Sequence, residues 1–321
     1  EAIALSAGRI LAVGTEQEVR PYVGEDTVFI PCHGNTVLPG FVDPHLHLYA
    51  SASRRCGADL STTSSICKIQ DTLRAEQSRV SAGYWLKGYG YDEFFLMENR
   101  HPTRNDLDQV SDRIPIILRH RTGHAAVLNS PGLRLAGIGK NSTPLASGTV
   151  ERDISGNATG VLYEAEKFLH DIVPASSEDS FHTALKKVSD DLVRLGVCSF
   201  HDATASNTPE HVQQFAALRS SGILKPHPTV MVGFDSFSNT LETDWKQLVQ
   251  DAPKCLSRHG SIKILLHESG GDLVPSPEDL AEMVWQIHKV GLQAAIHAVE
   301  EAPVCVALAA IKNVQNRTYR A

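Results

Sequence analysis

Two histidines separated by one residue, His45 and His47, end an apolar stretch that contains Thr36-Val37-Leu38 and Phe41-Val42, with Pro39-Gly40 between these two runs. Successive side chains of a β-strand point to opposite faces, so both imidazoles point to the same side. Neutral imidazole is the commonest metal ligand in proteins and suits zinc. A chain with 15 histidines also produces such a pair by chance. The Leu-Pro-Gly-Phe-Val-Asp sequence before the pair favours metal ligands.

The composition is that of a globular protein with a large core. The chain has 321 residues, of which 42% are hydrophobic and 21% charged, and this length fits one large domain with an appendage. The formal net charge is −7 without a block of Lys or Arg, which argues against binding to nucleic acid or an anionic membrane. No run approaches the ~20 apolar residues of a membrane span. Six cysteines without a CxxC pair favour a reducing compartment, and we expect a cytoplasmic protein.

Residues 1–37 are predicted to form a small β layer. Three short β-type runs occur there, Ala2–Leu5, Arg9–Val13 and Thr27–Ile30, and Gly8 provides a turn between the first two.

Helices and strands alternate over most of the remaining chain. The spacing of apolar residues predicts helices over 62–80, 176–195, 209–221, from Pro277 to before Gly291, and around Val304, Leu308 and Ile311. Strands of a parallel sheet are predicted over 37–43, 197–202, 229–233, 261–267 and 292–297. This alternation is typical of a parallel α/β sheet, open or closed into a barrel. The sequence has no GxGxxG, P-loop or GxSxG motif, so nucleotide binding and an α/β-hydrolase nucleophile are disfavoured.

The interval between the first two strands is much longer than a normal βα unit. Strand-like runs within it end in polar and aromatic clusters at Tyr91-Asp92-Glu93 and Arg119–His124, and 151–164 has the Gly and Asn spacing of a hairpin. Such clusters occur on ordinary loop surfaces and also in substrate pockets. We interpret about 84–164 as an insertion that covers the metal face.

The segment from Leu38 to His47 resembles the first barrel strand of the metal-dependent amidohydrolase superfamily, in the branch of YtcJ-like proteins and N-substituted formamide deformylase. The resemblance covers nearly the whole chain. It implies a TIM-like (β/α)8 barrel over 38–321 and a β-sandwich to which 1–37 contribute. Only five barrel strands are present, so the resemblance implies a longer native polypeptide that continues after Ala321.

The resemblance also implies a metal-ligand set. Carried over, it assigns His45 and His47 on the first strand, Lys263 on the fourth, where the family has a carboxylated lysine or an acid, and His297 on the fifth. It implies one or two divalent ions, expected to be zinc. The family's catalytic Asp has no counterpart and is expected beyond Ala321, so no catalytic residue is assigned here. Lys263 could instead pair with Glu268, and His297 could be a core histidine.

Further site residues follow from position and resemblance. His201 and Asp202 close the second strand and are expected to orient the metal ligands, as are His267 and Glu268 after the fourth. Tyr91, Asp92, Arg119 and His124 match segments that face the site in the family, and we expect them to bind substrate.

The implied reaction is hydrolysis of an amide or related C–N bond of a small molecule by a metal-activated water. Two alternatives stay open. The chain could keep the fold as a catalytically inactive binding module, or the same metal site could serve a deaminase or isomerase. A homodimer is also compatible with the sequence.

Overall fold

The computed structural model describes residues 1–78, 83–140, 142–143, 145, 148–239, 245, 261–269 and 272–318. The chain divides into two compact units, Glu1–Pro39 and Gly40–Ala321. Within the described residues, no helix is both long enough and apolar enough to cross a membrane.

The first unit contains a small antiparallel sheet. Strands β1 (Ala2–Ser6) and β2 (Arg9–Gly14) pair with each other and precede helix α1 (Glu16–Val19) and a 3-10 turn (Arg20–Tyr22). The prediction of a third strand over Thr27–Ile30 is wrong. These residues adopt no regular structure, and Val28, Phe29 and Ile30 are 82%, 73% and 81% exposed. High β-propensity alone does not form a strand when no partner strand supplies hydrogen bonds.

The second unit contains the remaining elements. Its strands are β3 (Phe41–Leu46), β4 (Ala58–Asp59), β5 (Leu86–Tyr91), β6 (Ile116–His120), β7 (Ala125–Leu128), β8 (Thr149–Arg152), β9 (Ala158–Tyr163), β10 (Val197–Asp202), β11 (His227–Val230), β12 (Val232–Gly233), β13 (Ser261–Leu265), β14 (His267–Ser269), β15 (Asp272–Val274) and β16 (Gln293–His297). Its helices are α2 (Leu48–Arg55), α3 (Ile66–Gln77), α4 (Arg104–Asp108), α5 (Ser130–Leu135), α6 (Glu166–Ile172), α7 (Glu178–Arg194), α8 (Pro209–Ser220), α9 (Phe234–Ser238), α10 (Pro277–Lys289) and α11 (Glu301–Thr318), with a 3-10 turn at Glu93–Phe95.

The parallel strands lie next to one another in the order in which they occur along the chain. Strands β3, β10 and β11 form one sheet, and β12, β13 and β16 form another, with all neighbours parallel. Only Met231 separates β11 from β12, and its amide donates to the Asp202 carbonyl at 2.9 Å. The five predicted strands are therefore present in the described residues. The first begins later than predicted, after Pro39-Gly40, so that it contains His45.

Amphipathic helices cover this parallel series. The predicted helices over 176–195, 209–221 and from Pro277 are confirmed as α7, α8 and α10, and the last predicted helix is α11. Their apolar residues share one core with the strands, as Leu185, Phe200 and Val284 illustrate. Burying such aliphatic and aromatic side chains stabilises the unit by roughly 1.5–3 kcal/mol each.

The long interval after the first strand folds into a separate six-stranded sheet, which we call the mixed sheet. Its strand order is β4-β5-β6-β7-β9-β8, parallel from β4 to β6 and antiparallel from β6 onwards. The predicted hairpin over 151–164 is present as β8 and β9. Ile116 and Leu118 of β6 belong to one core cluster and Ile117 to another, so the sheet is covered on both faces.

The helix predicted over 62–80 is present as α3, but it does not pack on the first parallel strand. Its Ile66, Ile69 and Leu73 pack into the core of the mixed sheet, while α2 follows β3 directly and packs on α7. Helical periodicity identifies a buried face without specifying which sheet buries it. The last part of the prediction, 79–80, lies outside the described residues.

Candidate metal centre

The two histidines of the HxH pair lie where β3 ends and α2 begins. His45 lies in β3, and His47 is the N-cap residue of α2. Their ring centroids are 5.2 Å apart, with the rings at an interplanar angle of 76°. The amide of His45 donates to Asp43 Oδ1 at 3.0 Å, which fixes the backbone at the strand end.

A hydroxyl orients the second imidazole. Nδ1 of His47 lies 3.0 Å from Oγ1 of Thr204, a residue that follows strand β10. When Nδ1 donates its proton to this hydroxyl, the lone pair of Nε2 is available for a metal ion. Metal-binding histidines are commonly fixed in this way by a partner on the other ring nitrogen.

Asp202 joins the end of β10 to the start of α2. Its Oδ2 accepts from the amide of Leu48 at 2.7 Å, and its Oδ1 accepts from Asn207 Nδ2 at 2.9 Å and from the amide of Thr204 at 3.2 Å. Asp202 is 1% exposed. The first amides of a helix lack partners within the helix, and a carboxylate there is favourable. Asp202 therefore holds the backbone amide next to His47 and the backbone amide of Thr204, the two residues whose side chains are in contact.

Lys263 and His297 lie on the neighbouring parallel strands β13 and β16. Lys263 is 4% exposed, and among the described residues its amino group makes no hydrogen bond or ion pair. Burial lowers the pKa of this amino group. His297 ends β16 opposite Leu265, and its carbonyl accepts from the amide of Leu266 at 3.0 Å.

These four side chains interact electrostatically. Burial lowers the pKa of His45, and the charges of Lys263, His47 and His297 lower it further. Burial also lowers the pKa of His47; Asp202 opposes this shift, and Lys263 and His297 add to it. Both imidazoles are therefore favoured in the neutral form that binds metals. Lys263 and His297 thus lie close enough to the histidine pair for their charges to affect its protonation.

Three other predicted residues lie apart from these contacts. His267 and Glu268 are exposed on the β14–β15 hairpin, which follows the parallel strand. His201 is partly exposed, and strand alternation places it on the face of β10 opposite to the core residue Phe200.

The predicted substrate residues occupy several environments in the mixed sheet. Tyr91 is 0% exposed, and its hydroxyl lies 3.0 Å from His101 Nδ1. Arg119 pairs with Glu166. His124 Nδ1 lies 3.0 Å from Glu164 Oε1 at the surface.

Asp92 is largely buried. Its Oδ2 accepts from Arg121 at 3.0 Å, and its Oδ1 accepts from the amide of Phe94 at 3.0 Å. It also lies close to Glu93 and His120.

Sequence reasoning did not identify Thr204, Asn207, Glu93 or His120. Thr204 follows Asp202 by two residues, so its place after a strand end is the signal that could have found it. Glu93 and His120 belong to polar clusters at strand ends, but only the pairing of β5 with β6 brings these clusters together.

The alternating parallel strands and helices define an α/β protein with histidines at its strand ends. The sequence profile of the Amidohydrolase family matches residues 29–321. The chain belongs to this family.

Individual relatives agree with this assignment. The chain is 26% identical over 349 aligned residues to N-substituted formamide deformylase of Arthrobacter pascens, with 99% of this chain and 63% of the relative covered. It is 25% identical to the Bacillus subtilis protein YtcJ, with 93% of this chain and 60% of that protein covered. The chain thus spans less than two thirds of the length of these curated relatives.

A crystal structure described as an uncharacterized metal-dependent hydrolase from Pyrococcus horikoshii matches with a TM-score of 0.67 and 21% identity, covering 97% of this chain and 64% of that one. This likeness supports an α/β TIM-like fold.

Proposed function

We propose that this chain supplies the metal-binding part of a hydrolase that cleaves an amide or related C–N bond of a small molecule. The observation that carries the proposal is the His45–His47 pair, with His47 held by Thr204. The charges of Lys263, which is buried, and of His297, which is partly exposed, lower the pKa of His45. The family membership and the deformylase relative support a hydrolytic reaction.

Each residue has a role that follows from its position. His45, His47 and His297 would bind the cation through neutral imidazole nitrogens. Carboxylation of Lys263, in which its neutral amine adds to carbon dioxide and loses one proton, would provide an anionic ligand and remove a buried cation. A divalent cation bound there, zinc in our proposal, supplies Lewis acidity that activates water and polarises a carbonyl. Asp202 would hold the helix start and Thr204 the ring of His47.

The mixed sheet would contribute to substrate binding. Arg119 is the next-to-last residue of β6 and His124 directly precedes the antiparallel β7, and both have polar groups near solvent. Tyr91 is buried, so we propose that it acts by holding His101. The relative's name specifies an N-substituted formamide, and we propose N-substituted amides as the first substrate class to test.

The test combines metal content with turnover. Purified protein would be analysed for metal and assayed with a panel of N-substituted formamides and acetamides, before and after chelation and after addition of Zn²⁺. We expect bound metal, turnover of at least one amide, loss on chelation and recovery with Zn²⁺. The double variant His45→Ala/His47→Ala should lose turnover and hold less metal than the parent.

His170→Ala is a matched control because the side chain of His170 is 86% exposed and, among the described residues, pairs with its neighbour Asp171 alone. It should match the parent protein in both measurements. Equal metal content in the double variant and the parent would contradict the assignment of the ligands. Turnover that survives complete metal removal would contradict the proposed reaction.

A further inference from the structure

A second group of potential metal ligands lies in the mixed sheet. Strands β5 and β6 are parallel neighbours, with Tyr91 opposite His120 in the register. Asp92 and Glu93 follow β5 directly, and His120 is the last residue of β6. The carboxyl ends of parallel strands are where α/β sheets place ligands.

The donor atoms of this group converge on one point. Ligand atoms of Asp92, Glu93 and His120 all lie within 4.8 Å of one another. Nε2 of His120 lies 2.9 Å from Glu93 Oε2 and 3.8 Å from Asp92 Oδ1. Ligands about 2.0–2.2 Å from a shared zinc ion are separated by distances of this order.

Two of the donor atoms have no hydrogen bond. Glu93 Oε2 and His120 Nε2 are both inaccessible to solvent and, despite their proximity, form no hydrogen bond with each other or with another described residue. The side chain of His120 is 9% exposed and that of Asp92 is 10% exposed. Their 2.9 Å separation is an ion-pair distance when His120 is protonated, but neither atom has a hydrogen bond, and a buried polar atom without one costs about 1–3 kcal/mol. A cation between these atoms would satisfy both.

The surrounding contacts prepare His120 for this role. Its Nδ1 lies 2.8 Å from Thr122 Oγ1 and accepts from the backbone amide of the same residue at 3.3 Å. These contacts fix the ring so that Nε2 faces Glu93 Oε2. A cation bound at Nε2 would replace the proton there, and Nδ1 would then carry the proton and donate it to the Thr122 hydroxyl. A partner of this kind on the second ring nitrogen is a regular feature of histidine ligands.

The local charge favours a cation. Asp92 and Glu93 bring two carboxylates together, and Arg121, which contacts Asp92 Oδ2, provides one compensating charge. His101 Nδ1 is 3.5 Å from Glu93 Oε2, but it also contacts the hydroxyl of Tyr91 at 3.0 Å. Two carboxylates and one imidazole suit zinc or manganese and leave one position open for water or substrate.

We propose that Asp92, Glu93 and His120 bind a divalent cation and form a second metal site. This site shares no residue with the proposed site of His45, His47, Lys263 and His297. Asp92 then acts as a ligand of this cation and not as a direct substrate contact.

The experiment counts zinc in five proteins after equilibrium dialysis against Zn²⁺ alone. The parent should hold one equivalent more than Glu93→Gln, and His45→Ala/His47→Ala should retain one equivalent. Adding Glu93→Gln to that double variant should remove this last equivalent. Asp112→Asn changes an exposed acid in the loop before β6 and should match the parent.

Equal zinc content in folded Glu93→Gln and in the parent would overturn the proposal, as would a His45→Ala/His47→Ala protein that holds no zinc. Near-ultraviolet circular dichroism reports whether each variant folds. If Glu93→Gln does not fold, His120→Gln replaces it in the same count. The proposed function fails on a different result, the retention of all zinc by the His45→Ala/His47→Ala protein.

Discussion

The carboxylate of Asp202 accepts a 2.7 Å hydrogen bond from the backbone amide of Leu48, and this contact joins residues 154 positions apart in the sequence. Leu48 directly follows His47, so the contact fixes the backbone beside a proposed metal ligand. The second carboxylate oxygen accepts two more hydrogen bonds, from Asn207 and the amide of Thr204.

Asp202→Asn should weaken metal binding because an amide has one acceptor oxygen. Its NH2 group would face either the Leu48 amide or the donors of Thr204 and Asn207. We expect a loss of about 10–100-fold in metal affinity and of roughly 1–3 kcal/mol in unfolding free energy. Competition titration with a chelating dye and urea denaturation measure these effects. Asp171→Asn changes an exposed acid and should alter neither quantity; unchanged affinity in Asp202→Asn would contradict the positioning role.

Thr204→Val should reduce metal affinity without a comparable loss of stability. The valine keeps the shape of threonine but removes the hydroxyl that contacts Nδ1 of His47 at 3.0 Å. The expected reduction is about 10-fold or more, measured by the same competition titration. Thr204→Ser keeps the hydroxyl and should stay close to the parent. If valine and serine variants bind metal equally well, the hydroxyl does not orient His47.

Lys263→Met should have opposite effects on metal binding and on the stability of metal-free protein. The variant loses the proposed anionic ligand, so metal binding should decrease. In chelator-treated protein, methionine replaces a buried amino group that has no partner among the described residues. Replacing buried charges by apolar residues is often neutral or stabilising by roughly 1–4 kcal/mol. Urea denaturation in the presence of chelator measures the change. A metal-free variant that is less stable than the metal-free parent would contradict the view that the Lys263 amino group has no partner among the described residues.

Gly233→Ala should destabilise the parallel sheet. A Cβ atom at Gly233 would lie 1.7 Å from the carbonyl oxygen of Ala205, a backbone atom in the segment that positions Asn207. Overpacking of this kind costs about 1–3 kcal/mol. Gly139→Ala is the matched control, because a Cβ there meets no atom of the described residues within 4 Å. Thermal denaturation of the two variants should therefore differ clearly, with the melting temperature of Gly233→Ala lower.

Acid should weaken the mixed sheet through Asp106. Burial raises the pKa of this carboxyl, but hydrogen bonds from Arg100 and Thr103 outweigh it, and the net pKa is lowered. The stabilisation is therefore present above the unfolded-state pKa of about 3.9 and is lost as the pH falls through the lower folded value. Asp106→Asn should be less stable than the parent at pH 6, and the difference should shrink towards pH 3. Urea denaturation at both pH values measures it; a constant difference would contradict the ion-pair explanation.

Much of the architecture follows from local patterns in the sequence. The HxH pair, the alternation of apolar strands and amphipathic helices, and the Ser-Pro start of α10 at Ser276-Pro277 are properties of neighbouring residues. These patterns predicted the parallel series and placed His45, His47 and His297 at strand ends. The error at Thr27–Ile30 has the same origin, since a local pattern does not show whether a partner strand exists.

The tertiary structure decided which distant residues meet. Thr204 reaches His47, Asp202 reaches Leu48, and Glu93 reaches His120 only because strand register fixes where each polar strand end lies. The packing of α3 on the mixed sheet also depends on the tertiary structure, because the apolar face of a helix can pack on any complementary core. Side-chain periodicity acts over a few residues, whereas convergence depends on pairing between strands far apart in the chain. Local patterns therefore predicted the parallel strands, most of their helices and the histidine pair, and strand pairing brought in their distant partners.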